Sequence, residues 1–157
     1  MNRNIDEFQS IIGYTFKNRN LLIQALTHSS YVNENRSSGD IPADNERLEF
    51  FGDAIIEFHV SEFLYEKYRS IQEGDLTRLR ASMVCEQSLA CCSRRISLGE
   101  FLLMGRGEEA SGGRERASII SDAFEAVTAA IYLDSGRDAA ETFIKEHLLK
   151  TVILLKT

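Results

Sequence analysis

The sequence predicts an all-α fold. Apolar residues recur three and four positions apart through most of the 157 residues, the spacing that lines one face of a helix. No convincing alternation of apolar and polar residues signals a strand. A single proline, Pro42, and the lack of low-complexity sequence or internal repeats fit one helical domain over 1–157.

Taken in order, residues 4–12 form a short helix opened by Asn4, with Ile5, Phe8, Ile11 and Ile12 on one side and Gly13 ending it. Residues 18–31 form a second helix with Leu21, Leu22, Ala25 and Leu26 inward. Residues 33–43 are a polar loop, and Asp44 or Asn45 caps the central helix, 45–68. Leu48, Phe51, Ile55 and Phe58 make the core face of that helix, while Lys67 and Arg69 suit the dipole at its end. Gly74 breaks the chain, and DLTRLRASMV leads into a helix over 85–96. Residues 104–116, rich in glycine and charge, read as an exposed, mobile loop whose three arginines and three glutamates cancel. Helices over 117–134 and 138–154 complete the domain.

Composition narrows the function. With 43% hydrophobic and 27% charged residues the chain is ordinary for a soluble globular protein. It has no apolar run of membrane-spanning length and no signal-like amino terminus, which predicts a cytoplasmic location. A net charge of −6 is the wrong sign for gripping nucleic acid by bulk electrostatics. It leaves room for a nucleic-acid enzyme whose metal ions supply local positive charge. Cys85, Cys91 and Cys92 are odd in number and lack CxxC spacing, so they read as small buried thiols and not as a disulfide framework or a zinc site.

The central helix carries the chemistry. Glu46, Glu49 and Asp53 fall at i, i+3 and i+7 and share one narrow face. Ile56 and Val60 continue that face, so the acids stand at the mouth of a buried region. Like charges at this spacing cost roughly 0.2–0.5 kcal/mol per pair on a helix, and burial adds to the cost. A hard divalent cation would offset it. The plainer alternative is a solvated acidic face complementing the helix dipole.

A second pair, Asp122 and Glu125, shares a face of the 117–134 helix, which is otherwise apolar and rich in small alanines. Buried acids need partners. Arginine, lysine or asparagine could serve, making this a structural ion-pair site. Metal held against the acids of the central helix would also fit. His28, His59 and His147 are scattered, and His59 reads as a packed helix residue. The all-oxygen set favours magnesium, with manganese as a substitute, over zinc. Such a site suits phosphodiester hydrolysis by an activated water, a second ion about 4 Å away stabilising the leaving oxygen.

NERLEFFGDAI (45–55) closely resembles the signature of the ribonuclease III family. ALTHSSY (25–31), EGDLTRLRA (73–81), GRGEEASGGRERASI (105–119) and SDAFEAVTAAIYLDSG (121–136) are similar to the same endonuclease domain, in the same order. The resemblance implies a magnesium-dependent endonuclease cutting double-stranded RNA to 5′-phosphate and 3′-hydroxyl ends, as in RNA processing and the maturation of ribosomal RNA. It implies Glu49, Asp53, Asp122 and Glu125 as the metal-binding set, Asp53 and Glu125 being catalytic. Glu46 and Glu73 resemble accessory acids of the family's cleavage valley. The family domain is a symmetric homodimer, and the resemblance implies that Phe50 enters a pocket of the other subunit. Ala117 departs from the glutamate or proline often found before the SI pair. Nothing resembles a double-stranded-RNA-binding domain, and the chain stops at Lys156-Thr157. Two other readings compete: a non-cutting RNA-binding or dimerisation module, and a metal-binding bundle unrelated to RNA.

Overall fold

The computed structural model describes residues 4–155. Its regular structure is helical, and among these residues the one extended pairing is an isolated parallel bridge between Thr27 and Leu103. The helices are α1 (Ile5–Ile12), α2 (Arg19–Ala25), α3 (Ser29–Glu34), α4 (Glu46–Lys67), α5 (Glu73–Val84), α6 (Glu86–Arg95), α7 (Arg106–Ala110), α8 (Ala117–Ser135), α9 (Arg137–Ile144) and α10 (Lys150–Leu155). Residues 1–3 and 156–157, part of the expected 1–157 domain and including Lys156-Thr157, lie outside the described residues.

The core is built around α8. A helix apolar on every side must be surrounded, and α8 buries residues from Ile119 to Ile131 almost without interruption. Its alanines Ala123, Ala126, Ala129 and Ala130 are fully buried. Small side chains let neighbouring axes approach, and α4, α6, α9 and α2 pack around it. Phe124, Ile120 and Ile131 fill the gaps, each stabilising the fold by roughly 1.5–3 kcal/mol.

Several helix ends follow their residues. Asn4 accepts the Asp6 N–H to open α1, and Gly13 closes it in the left-handed conformation at φ 70°. At the start of α4 the capping side chain is that of Asp44, which accepts the Glu46 N–H at 3.1 Å. Asn45 instead donates to the Ala25 carbonyl at 3.0 Å.

The expected helix over 18–31 is two helices. The Leu26 carbonyl accepts the Leu103 N–H, and the His28 N–H donates to Leu103 O at 2.9 Å. The Thr27 carbonyl takes the Asn45 N–H at 3.0 Å. Backbone groups that a continuous helix would use are therefore spent on two distant segments. His28 then starts α3, its Nδ1 accepting the Ser30 N–H at 3.1 Å.

The 104–116 segment is not an open loop. It contains α7 and a 3₁₀ turn over Gly113–Glu115. Arg114 pairs with Glu109 at 2.7 Å and donates to the carbonyls of Leu102 at 2.7 Å and Gly99 at 3.0 Å. Arg116 pairs with Glu108. Two of the three arginines thus pair with glutamates inside the segment, which pins it instead of leaving it mobile.

The core face of α4 also differs in part. Leu48 and Ile55 are buried as expected, but Phe51 is half-buried and Phe58 is 53% exposed. The buried stripe runs through Gly52, Ile56, His59, Val60 and Leu64. Both phenylalanines lie at its edge, Phe51 packing edge-on against Tyr132 of α8. Cys85, placed among the buried thiols by sequence, is exposed at the α5–α6 junction. Cys91 is half-buried, and burial pushes the Cys92 thiol up to about 12. The predicted 138–154 helix is α9, one π-helical turn over Lys145–Leu149, and α10.

Candidate metal centre

Glu46, Glu49 and Asp53 follow one another along α4, and Asp122 and Glu125 lie one turn apart on α8. Because these two helices make the tightest pairing of the fold, the two acid rows face each other. Glu49, Asp122 and Glu125 each offer a carboxylate oxygen within 4.8 Å of the others. Asp53 lies beside Glu125, and its carboxylate disfavours ionisation of Glu125.

Burial grades across the cluster. Glu125 is 9% exposed, Glu49 and Asp122 are half-buried, and Asp53 and Glu46 are exposed. Burial, the Asp53 hydrogen bond and the charges of Asp53, Asp122 and Glu49 push the Glu125 carboxyl up to about 9. Burial, then Asp122, Glu46 and Asp53, raises Glu49. Burial and the charge of Glu86 raise Asp122, while His28 draws it down.

Among the described residues no lysine or arginine forms an ion pair with any of these acids. That removes the structural ion-pair reading of Asp122 and Glu125. What remains is a set of converging carboxylates that repel one another, the repulsion raising Glu125 and Glu49. Hard oxygen donors at this spacing fit magnesium or manganese and lack the nitrogen and sulfur donors preferred by zinc.

Glu73 is not brought to this cluster. It opens α5, is exposed, and accepts a hydrogen bond from Thr77 at 3.2 Å. Three residues around the centre escaped sequence reasoning. Gly52 allows the close approach of α4 to α8 beside Glu125. Glu86, first residue of α6, and His28, in the ALTHSSY segment, set the charge around Asp122. Glycine inside a long helix was the one available signal for close packing. Nothing in the local sequence ties Glu86 to Asp122.

Phe50 projects from α4 with 81% of its surface exposed. A cavity of about 310 Å³ opens beside α4, lined by Phe51, Ala54, Ile55, Phe58, His59, Tyr132 and Arg137.

The chain is thus an all-helical domain whose two central helices bring opposed carboxylate rows together. The chain belongs to the ribonuclease III family, and the family model described as Ribonuclease-III-like matches residues 18–152. It is 50% identical over 146 residues to Ribonuclease 3 of Bacillus licheniformis, covering 93% of this chain and 58% of that one. With Ribonuclease 3 of Bacillus cytotoxicus it shares 52% identity over 139 residues, covering 88% and 56%. The chain thus spans a little over half the length of these curated relatives. Among solved structures it is similar to the nuclease domain of ribonuclease III from Campylobacter jejuni. The TM-score is 0.85 at 42% identity, covering 94% of this chain and 98% of that one, and that protein is described as having a region involved in dimer formation. Dicer from Giardia intestinalis matches with a TM-score of 0.59 at 25% identity, covering 92% of this chain and 21% of that one. The expected all-α nuclease-domain fold and the family are both borne out.

Proposed function

We propose that this chain is the endonuclease domain of a ribonuclease III enzyme, working as a homodimer to hydrolyse double-stranded RNA with magnesium, or manganese in its place. The observation that carries this reading is the convergence of Glu49, Asp122 and Glu125 within 4.8 Å, with Asp53 beside Glu125. Family membership supplies the substrate class.

In this reading Glu49, Asp53, Asp122 and Glu125 hold the cation. Bound magnesium would supply the positive charge and Lewis acidity that phosphodiester hydrolysis draws on. Glu46, one turn before Glu49 on the exposed rim, and Glu73, on α5 outside the cluster, take accessory roles. Products carry 5′-phosphate and 3′-hydroxyl ends, as suits cytoplasmic RNA processing that includes ribosomal RNA.

Dimerisation is part of the same proposal. A phenyl ring left 81% exposed favours a partner. The apolar cavity beside Phe51 and Phe58 suits the partner subunit's Phe50, and a two-fold axis would make the exchange reciprocal. Two equivalent centres then address the two antiparallel strands of a duplex. Recognition follows the shape and 2′-hydroxyls of A-form RNA, whose deep major groove is closed to side chains. A basic surface is not required of this domain, because cations at the centre offset its acidity. No double-stranded-RNA-binding domain is assigned within 1–157.

Incubation with a fully paired RNA tests the reading. Cleavage of both strands with magnesium or manganese, and none with excess chelator, is the expected result. A duplex left intact across a range of both ions, at low salt and high protein, would instead favour a non-cutting RNA-binding module.

A further inference from the structure

A second cluster of ligating side chains lies farther along α4, away from the carboxylate centre. His59 is six residues beyond Asp53, about 9 Å along the helix axis. Glu62 follows it at i+3, on the same face. Glu141 approaches from α9. One ligand atom from each of the three lies within 4.8 Å of the other two.

His59 is only 5% exposed, and its Nδ1 is buried with no hydrogen-bond partner among the described residues. A buried imidazole nitrogen left unpaired costs roughly 1–3 kcal/mol, so its retention beside two carboxylates needs a reason. We propose that His59, Glu62 and Glu141 form a second divalent-cation site, selective for a borderline transition ion such as zinc, that ties α9 to the central helix.

The donor set differs in kind from the first centre. One imidazole nitrogen with two carboxylates suits zinc, cobalt or nickel, whereas magnesium strongly prefers oxygen. Zinc bonds of about 2.0–2.2 Å in a tetrahedral set put ligand atoms about 3.3–3.6 Å apart. Atoms within 4.8 Å of one another need to close by no more than about 1.5 Å, which rotamer adjustment in two half-buried glutamates supplies. Neighbouring cations leave the site usable. Arg137 takes one oxygen of Glu62 at 2.8 Å, and Lys145 one oxygen of Glu141 at 3.0 Å. The second oxygen of each carboxylate is left for the ion, while the two cations orient the ligands from outside. A cavity of about 250 Å³, lined in part by His59, Glu62, Glu141 and Lys145, has room for water to complete the coordination.

The test uses the whole chain stripped of metal by chelator, carrying Asp122→Asn and Glu125→Gln to disable the first centre. Zinc and cobalt are titrated in the presence of excess magnesium, with calorimetry and cobalt visible absorption as readouts. This background is expected to take one zinc per chain and to gain a cobalt spectrum with nitrogen-ligand character. Adding His59→Ala or Glu141→Gln should weaken zinc binding at least about tenfold and bleach that spectrum. Glu141 is half-buried on α9 and glutamine matches its shape, so that variant serves where the His59 change is disruptive, and circular dichroism checks both. No zinc bound by the background, or equal affinity with and without Glu141→Gln, would overturn the proposal. Neither outcome bears on RNA cleavage by the first centre.

Discussion

A Cβ atom added to Gly52 would lie 1.8 Å from the carbonyl oxygen of Glu125. The central helices thus cross in direct backbone contact, at the residue that carries the most buried acid. The obstacle is backbone and cannot swing aside. Gly52→Ala must push α4 from α8, and overpacking of this kind costs about 1–3 kcal/mol or more. The urea midpoint should fall, and magnesium affinity with it, because Glu49 and Asp53 retreat from Asp122 and Glu125. Unchanged values for both would mean that the crossing relaxes without cost.

Glu125→Gln keeps the shape of the side chain and removes its charge. Cleavage of duplex RNA should fall below detection while sedimentation still shows the dimer. Loss of the dimer along with activity would assign Glu125 a mainly structural role.

The metal-free protein should lose stability as pH rises. Glu125 titrates near 9 when folded, against 4.5 for an ordinary glutamate, so between those values the folded state holds a proton that the unfolded state has released. Stability is therefore full below about 4.5 and declines as pH climbs toward 9. Glu49 and Asp122, also raised, act with the same sign. Melting temperatures measured in chelator should show this slope. Saturating magnesium, which replaces the protons, and Glu125→Gln, which removes the group, should each flatten it.

Phe50→Ala should weaken self-association. Truncating a buried interface aromatic commonly costs about 2–4 kcal/mol, or roughly 30- to 1,000-fold in the dimer constant. Sedimentation equilibrium reads this directly, and an unchanged constant would remove Phe50 from the interface.

Much of this was legible from the chain itself, and the exceptions share a cause. Acids three and four apart announced two faces, and the surrounding apolar pattern located both central helices to within a residue or two. The break at Thr27 was invisible because its reason lies in Asn45 and Leu103, whose backbone groups capture the carbonyls and N–H of that turn. The same holds for the 104–116 segment, whose order depends on Arg114 reaching the carbonyls of Gly99 and Leu102. Phe58 carried an apolar signature but sits at the rim of the buried stripe, and periodicity does not separate a rim facing a cavity from one facing the core. His59 is the packed helix residue the sequence predicts, and only the approach of Glu141 was hidden, because it comes about after α9 folds back.

The carboxylates of the first centre ride on α4 and α8, not on loops. A site carried by surface segments can come apart through local breathing while the rest of the protein stays folded. Here Asp122 and Glu125 sit in a helix enclosed on every side, so amide protons around them should exchange with solvent only when the whole domain opens. Readiness to take up the ion and survival of the fold would then be lost in a single event.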